Sequence, residues 1–498
     1  MRKDVFEPEE KRDWFGHPRG LSVLFHTEMW ERFSYYGMRS LLVLYMVNEL
    51  GFDDSARAYP IYGAYAAFVY AFPVLGGWVA NKWLGYSRAI VLGGILMALG
   101  HFCLAIPHTI AFFLGMAFLC VGNGFFKPNL ASSVGGLYEE SDPRRDRGFT
   151  IYYMAVNIGA LLSPLIVGEL GQKQSWHLGF SLAGFGMLLG LVFYLRGYRR
   201  HIGDIGEPDD PELLRKNVFL GIGRFGLIAA GALVLVPTIA LSLYHHQTAT
   251  WVIQGTSLVV LLILVGMAVY AEPRQRLRMV VLLILMVFHM IFWAGFEQAA
   301  SSFNVLADRH VDKHVLGFEL SAAATQAINP AFIILLAPFF SMLWGFLQRK
   351  KTDPSIPAKF GLGLVQLGLG FWVLTVGISL SDEKGTVALV FLVLCYLLHT
   401  TGELCLSPIG LSAVTKLAPP RWVGFCMGAW FLTIANAHIF AAGIAALTGE
   451  GAEGELEGRA AVLRYSEVFH GVFLFVVVAG VVLLVLSPLI RRLIPDVR

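Results

Sequence analysis

Four ionisable side chains crowd one apolar stretch near the start of the chain. The run LSVLFHTEMWERFSYYGMRSLLVLYM carries Glu28, Glu31, Arg32 and Arg39. Carboxylates beside a guanidinium group in a dry setting can take up and release protons, because burial and a neighbouring arginine pull a carboxyl group's proton affinity in opposite directions. Glu28, Arg32, Tyr35 and Arg39 fall at i, i+4, i+7 and i+11, one stripe of a helix, with Glu31 about 60° to its side. Each such charge costs roughly 2.5–3.5 kcal/mol if it faces lipid, so the stripe must face a cavity or other polar helices. A static ion-pair network welding helices together is the other reading of the same residues.

Further polar groups interrupt later apolar runs. Lys127 lies in GNGFFKPNLASSVGGLY and is followed by Pro128, where a bend is expected. A lysine there suits an anionic group or a glutamate on another helix. The second half carries Glu297, Ser301, Asn304 and Asp308 at i, i+4, i+7 and i+11, read as a second stripe. It also carries Gln326 and Asn329 beside Pro330, Glu403 and Ser407 before Pro408, and Trp430 with Asn436; the first half adds Tyr153 and Asn157. Any one of these asparagines is as well explained by an interhelical hydrogen bond. The cations at depth (Arg39, Lys127) stand in the first half and the anions (Glu297, Glu403) in the second. A cavity between them would match a zwitterion with separated charges, such as a short peptide. His26, His289, His399 and His438 also fall in apolar runs and are read as hydrogen-bonding residues, with no metal-ligand spacing.

The elements that must hold these groups are spanning helices. The chain is 56% apolar and 15% charged, with a mean hydropathy of +0.63, and a span needs about 20 mostly apolar residues. Fourteen such segments run from Gly20–Asn48 to Val468–Ile490, among them Val218–Tyr244, Trp251–Ala271 and Met279–Asp308. With the N-terminus placed in the cytoplasm, the inner segments hold 27 of the 38 Lys and Arg and the outer loops 7, which fits the positive-inside rule and places both termini inside. No cleavable signal peptide is evident in the polar first residues. Cys103, Cys120, Cys395, Cys405 and Cys426 lie in apolar spans, so no disulfide is expected. The order is six spans, two more that are nearly free of ionisable residues, then six. This divides the chain into an N-terminal bundle at 1–200, a two-helix insertion with its linkers at 201–277 and a C-terminal bundle at 278–498. The fold class expected is all-α integral membrane, two six-helix bundles with two additional helices, of the alternating-access kind.

Several runs resemble one family. Glu28-Met-Trp-Glu31-Arg32-Phe33-Ser-Tyr35-Tyr36-Gly37 resembles the ExxERFxYYG signature of the proton-dependent oligopeptide transporter family of the major facilitator superfamily. Gly124-Phe-Phe126-Lys127-Pro128-Asn129 is similar to its FxKPN-type fourth-helix signature, and GFTIYYMAVNIGALLSPLI, FEQAASSFN, INPAFIILLAP and GELCLSPIGLS follow in the family's order. The resemblance implies a major-facilitator fold that imports di- and tripeptides, and peptide-like drugs, together with protons. It implies a coupling cluster of Glu28, Glu31 and Arg32, with Lys127 and Glu297 also engaged. It implies that Arg39 and Lys127 receive the peptide carboxylate and Glu403 the amino terminus. Asn157 and Asn329 would contact the peptide backbone, Tyr35, Tyr70, Tyr153 and Trp430 would line side-chain pockets, and Ser407 joins the binding set. No cofactor is implied, the proton being the coupling ion. A monomer in a bacterial inner membrane is expected, with lipid but no nucleic acid as partner. Two departures stand out: Asn81 occupies the usual Asp position after the second span, and Phe296 rather than a second acid precedes Glu297. At the outer helix ends, Arg57 and Asp308 are a candidate pair.

Two other functions are weighed. Transport of nitrate or another small anion would fit the same fold, but Glu403 would repel a simple anion. A membrane enzyme or sensor finds no support: GNGFFKPN lacks the GK[ST] ending of a phosphate loop, and neither a nucleophile–base pair nor a sizeable soluble domain is present.

Overall fold

The computed structural model describes residues 14–139, 141–208, 214, 217–219, 222–315, 317–449 and 458–494. The polar residues before Trp14, part of the linker after the sixth span and the last four residues, all assigned to the inner side, lie outside them. Helices α1 (Arg19–Asn48), α2 (Tyr59–Val79), α3 (Tyr86–Leu104), α4 (Thr109–Gly136), α5 (Arg145–Ser163), α6 (Glu169–Lys173) and α7 (Trp176–His201) come first. The two inserted helices are α8 (Arg224–Tyr244) and α9 (His246–Tyr270). Then follow α10 (Pro273–Phe296), α11 (Ser302–His310), α12 (Ile328–Arg349), α13 (Ile356–Ser379), α14 (Leu389–Leu417), α15 (Val423–Thr448) and α16 (Arg459–Leu493). Among the described residues, 13 helical stretches are long and apolar enough to cross a membrane. The fourteenth expected span, α1, has the length, at 30 residues, and is less apolar because it carries Glu28, Glu31, Arg32 and Arg39.

Three expectations of detail are corrected. Val218 does not begin a span: Asn217–Phe219 pairs antiparallel with Ile222–Gly223, and α8 starts at Arg224. A run as short as Val218–Phe219 satisfies a strand as well as a helix. The last helix begins at Arg459 rather than Val468, because its early arginines have partners: Arg459 donates to Ser379 O at 2.9 Å and Arg464 to Leu447 O at 3.1 Å. Both acceptors lie in the closing turn of another helix, where free carbonyls favour cations. Finally, Glu297, Ser301, Asn304 and Asp308 do not share one continuous helical stripe. The helix stops at Phe296, turns as a 3₁₀ segment over Glu297–Ala300 and restarts at Ser302, with Ser301 at φ −123°, ψ −98°. A 3₁₀ turn has three residues, so the 3.6-residue spacing does not carry across it. By contrast, α4 passes through Pro128 unbroken.

The chain forms two compact units. One comprises Met1–Leu41 and Ala71–Tyr244, the other Leu42–Tyr70 and His245–Arg498. Their division falls between the inserted helices: α8 packs on α4 in the first unit, α9 on α10 and α15 in the second. In the first unit α3 and α4 meet backbone to backbone. A Cβ built on Gly122 would lie 2.7 Å from Gly93 O. In a bilayer such contacts give packing where no hydrophobic drive between helices exists. In the second unit the hairpin made by the end of α1 and the start of α2 is tied to α11: Asn48 donates to Asp308 at 2.9 Å, and Arg309 pairs with Asp54 at 3.1 Å. Arg57, expected opposite Asp308, stacks on Phe52 with 4.1 Å between guanidinium carbon and ring centroid. The inserted α9 is held by a polar tie, Asn436 donating to Ser257 at 2.6 Å.

Just before α1, the turn Trp14–His17 folds onto the loop after α4. His17 Nδ1 lies 2.9 Å from the Tyr138 hydroxyl, and Arg144 donates to Gly16 O. Burial, with Arg144 and Arg147 nearby, holds the His17 imidazole below its ordinary value of 6.5. Hydrogen bonds from Arg144 bring Asp142 down to about 2.

Two outcomes follow from this packing. Gly122→Val forces a side chain into the α3–α4 backbone contact and lowers stability by about 1–3 kcal/mol, read as a lower unfolding temperature in detergent; an unchanged value would place the contact elsewhere. The depressed His17 value means that the neutral ring supports the turn above pH 6.5 and that this support is lost as pH falls below it. Amide protection at Trp14–His17, corrected for the intrinsic exchange rate, therefore falls on acidification, and His17→Gln removes the pH step. A step that persists in that variant would assign the titration to another group.

Candidate functional site

In the first unit the α1 charges fold onto one another. Arg32 Nε lies 3.2 Å from Glu28 Oε1 and donates at still closer range to Glu31 Oε2. All three residues are buried, Glu31 with no exposed surface. The i, i+4 spacing makes the first pair possible, and a residue on α5 completes it: the Tyr152 hydroxyl donates to Glu28 Oε2 at 2.6 Å. Gly159 permits that approach, since a Cβ there would meet Met29 O at 2.3 Å and Arg32 Cβ at 2.9 Å. It lies two turns from Tyr152 on the same face of α5. Among the described residues, Glu31 Oε1 and Arg32 Nη2 are buried without a hydrogen-bond partner. Lys127 on α4 lies within electrostatic reach of Glu31. Tyr35 lies below the Arg32 guanidinium at 5.3 Å, and Arg39, further along α1, over the Tyr36 ring at 5.7 Å.

The remaining expected residues of this unit are on α5. Asn157 is buried and donates to Tyr153 O at 3.0 Å, while Tyr153 itself is 44% exposed. The sequence reading did not single out Tyr152, the neighbour of Tyr153, which reaches the charge cluster. Consecutive helical residues point about 100° apart, so only the packing against α1 separates their roles.

The second unit holds the acids of the second half. Glu403 on α14 is 7% exposed, and its Oε2 accepts from Asn329 Nδ2 of α12 at 3.1 Å. The same amide donates to Thr400 Oγ1 at 2.9 Å. Ser407 is half-buried one turn beyond Glu403 on the same face. Glu297, at the break between α10 and α11, is buried and within electrostatic reach of Glu403. Its Oε1 lies 3.9 Å from His438 Nε2 on α15, and the His438 ring lies 5.1 Å from that of Tyr70. Tyr70 thus stands with the second unit, although its position in the sequence is among the first six spans. Trp430 is 2% exposed and packs on His289 with ring centroids 4.0 Å apart. The sequence offered no signal for the His438 and His289 contacts beyond the presence of histidines in spans.

A profile of the POT family matches residues 87–458. The chain is 38% identical over 497 residues to the uncharacterized transporter YclF of Bacillus subtilis strain 168, with 98% of both chains covered. It is 35% identical over 511 residues to the di-/tripeptide transporter of Lactococcus lactis subsp. lactis strain IL1403, covering 98% of this chain and 99% of that one. Its fold is similar to the crystal structure of a peptide transporter POT in complex with sulfate, with a TM-score of 0.84 at 37% identity over 98% of this chain and 99% of that one. With its spanning helices, its buried α1 ion pairs and these likenesses along almost its whole length, the chain belongs to the POT family of membrane transporters.

Proposed function

We propose that this protein is a proton-coupled symporter that imports di- and tripeptides across a bacterial inner membrane by alternating access. One observation carries the reading: the buried Glu28–Arg32–Glu31 cluster with Tyr152, in which one carboxylate oxygen and one guanidinium nitrogen have no partner among the described residues. A purely structural ion-pair network at membrane depth is favoured when its polar atoms are all satisfied. Open positions beside a carboxylate are what a proton-carrying group needs. Lys127, in electrostatic reach of Glu31, links this cluster to an anionic substrate end, with Arg39 as the second cation. Glu403, oriented by Asn329 and Thr400, supplies an anionic counterpart for a peptide ammonium group. Glu297 beside His438 is the second-unit candidate for proton transfer. Asn157, Tyr35, Tyr70, Tyr153, Trp430 and Ser407 complete the proposed peptide site.

The same two charged ends would accept peptide-like drugs. The lysine and arginine bias supports a topology with both termini in the cytoplasm. Transport needs no cofactor beyond the proton and no second copy of the chain. Two carboxylates in mutual electrostatic reach in the second unit, Glu297 and Glu403, disfavour a simple anion as the substrate.

The deciding experiment is uptake of labelled dialanine into proteoliposomes under an imposed pH gradient and membrane potential. The expected result is accumulation that collapses with an uncoupler and competes with unlabelled di- and tripeptides. Folded, inserted protein that accumulates nothing would overturn the reading, and nitrate and small metabolites would be tested next. Glu403→Ala and Lys127→Ala are expected to abolish uptake while inserting normally. Tyr152→Phe removes a hydrogen bond to a charged group and is expected to lower proton-driven accumulation roughly tenfold while peptide exchange at equal pH persists. Equal loss of both activities would make Tyr152 a folding residue instead.

A further inference from the structure

One buried histidine of the second unit stands apart from the proposed proton path, and its hydrogen bonds fix its chemical state. On α10, the Trp293 indole N–H donates to His289 Nε2 at 2.8 Å. An indole nitrogen only donates, so Nε2 is an acceptor and carries no proton. His289 Nδ1 lies 2.7 Å from Thr433 Oγ1 on α15. The single Thr433 hydroxyl proton is directed at Trp430 O, 2.7 Å away, so Thr433 Oγ1 accepts and Nδ1–H donates. Two independent neighbours therefore select the same neutral tautomer. A proton added at Nε2 would set two donors against each other and break the Trp293 bond.

The ring held in this way forms a shelf for Trp430. The two rings lie 4.0 Å apart at 34°, and Phe360 meets the indole edge-on at 6.2 Å. Beyond it, the indole comes so close to α14 that a Cβ on Gly410 would be 2.6 Å from Cζ2. Gly410 lies two turns from Glu403 on the same helix face, about 10 Å along the axis. The indole is thus pinned at a fixed distance from the carboxylate proposed to receive the peptide ammonium group.

We infer that His289 is a positioning residue, held in its neutral Nδ1–H tautomer between Trp293 and Thr433, which fixes the Trp430 indole and through it the side-chain preference of the peptide site. It moves no transported proton. The inference deepens the proposed function and rests on it for the role of Trp430; the tautomer stands on the hydrogen bonds alone.

The test has two arms. Nitrogen NMR on the full chain with labelled imidazoles, assigned through His289→Gln, is expected to show Nδ1 protonated and Nε2 bare across about pH 5–8. An imidazolium in that window overturns the inference, whatever the protein transports. In proteoliposomes, His289→Leu removes both bonds and is expected to change the ratio of KM for dialanine and alanyl-phenylalanine about fivefold to tenfold. Vmax for dialanine and the pH profile of uptake are expected to stay unchanged. His289→Gln, which keeps an acceptor for Trp293, is expected to restore part of the ratio and supplies the same readout if His289→Leu fails to fold. An equal KM change for both peptides, or loss of proton-driven accumulation with exchange intact, overturns the positioning role. A wild-type protein that takes up neither peptide overturns the functional reading and the selectivity claim with it, and leaves the tautomer to the spectrum.

Discussion

A charge removed from water must find its counter-charge within the protein, and Arg32 shows how far that single requirement reaches. Its guanidinium group has Glu28 one turn before it and Glu31 beside it, so the stripe that would be untenable against lipid becomes a partly neutralised core. Removing one member of such a set leaves a buried, uncompensated charge, which costs about 3–5 kcal/mol. The requirement spreads outward from α1. Tyr152 must arrive at Glu28, which demands Gly159 at the contact, which in turn sets the register of α5 against α1. Lys127 brings α4 into the same electrostatic neighbourhood. Three helices of the first unit are thereby positioned by one arginine and two glutamates.

The second unit meets the same constraint differently. Near Glu403 the neighbours are neutral hydrogen-bonding groups, Asn329 and Thr400, and near Glu297 lies the imidazole of His438. The Asn329 amide donates to the Glu403 carboxylate and to the Thr400 hydroxyl, whose own proton goes to Tyr396 O, so a neutral amide orients the acid. Neutral brackets of this kind also hold His289, where an indole donor and a threonine acceptor leave no room for a second proton. The two units thus stabilise their buried charge in different ways, by ion pairs in the first and by an orienting amide at Glu403 in the second.

Much of this was legible in the residues. Thirteen of the fourteen expected spans follow from apolar length, and the Glu28–Arg32 pair from a spacing of four. What was not legible depended on neighbours distant in sequence. Nothing in the pair Tyr152–Tyr153 tells which ring meets Glu28, because that is decided by the close approach at Gly159. The helix break at Glu297–Ser301 is hidden by a composition that stays compatible with a helix throughout, and it separates Asn304 and Asp308 from the stripe that spacing alone assigns them. Val218 and Phe219 read as the start of a span because a short apolar run does not declare its period. Arg459 and Arg464 read as loop residues because their acceptors, the carbonyls of Ser379 and Leu447, are set by tertiary packing.

The boundaries of the two compact units fall inside helices, at Leu41–Leu42 of α1 and Tyr70–Ala71 of α2. A loop can change course at little elastic cost, whereas a helix resists bending through its ladder of backbone hydrogen bonds. α1 and α2 are therefore stiff at these positions. Their stiffness is unequal. α2 contains Pro73, two residues beyond its boundary, where one rung of the ladder is already missing. The run MRSLLVLYM of α1 contains no proline, so α2 is the more easily bent of the two helices.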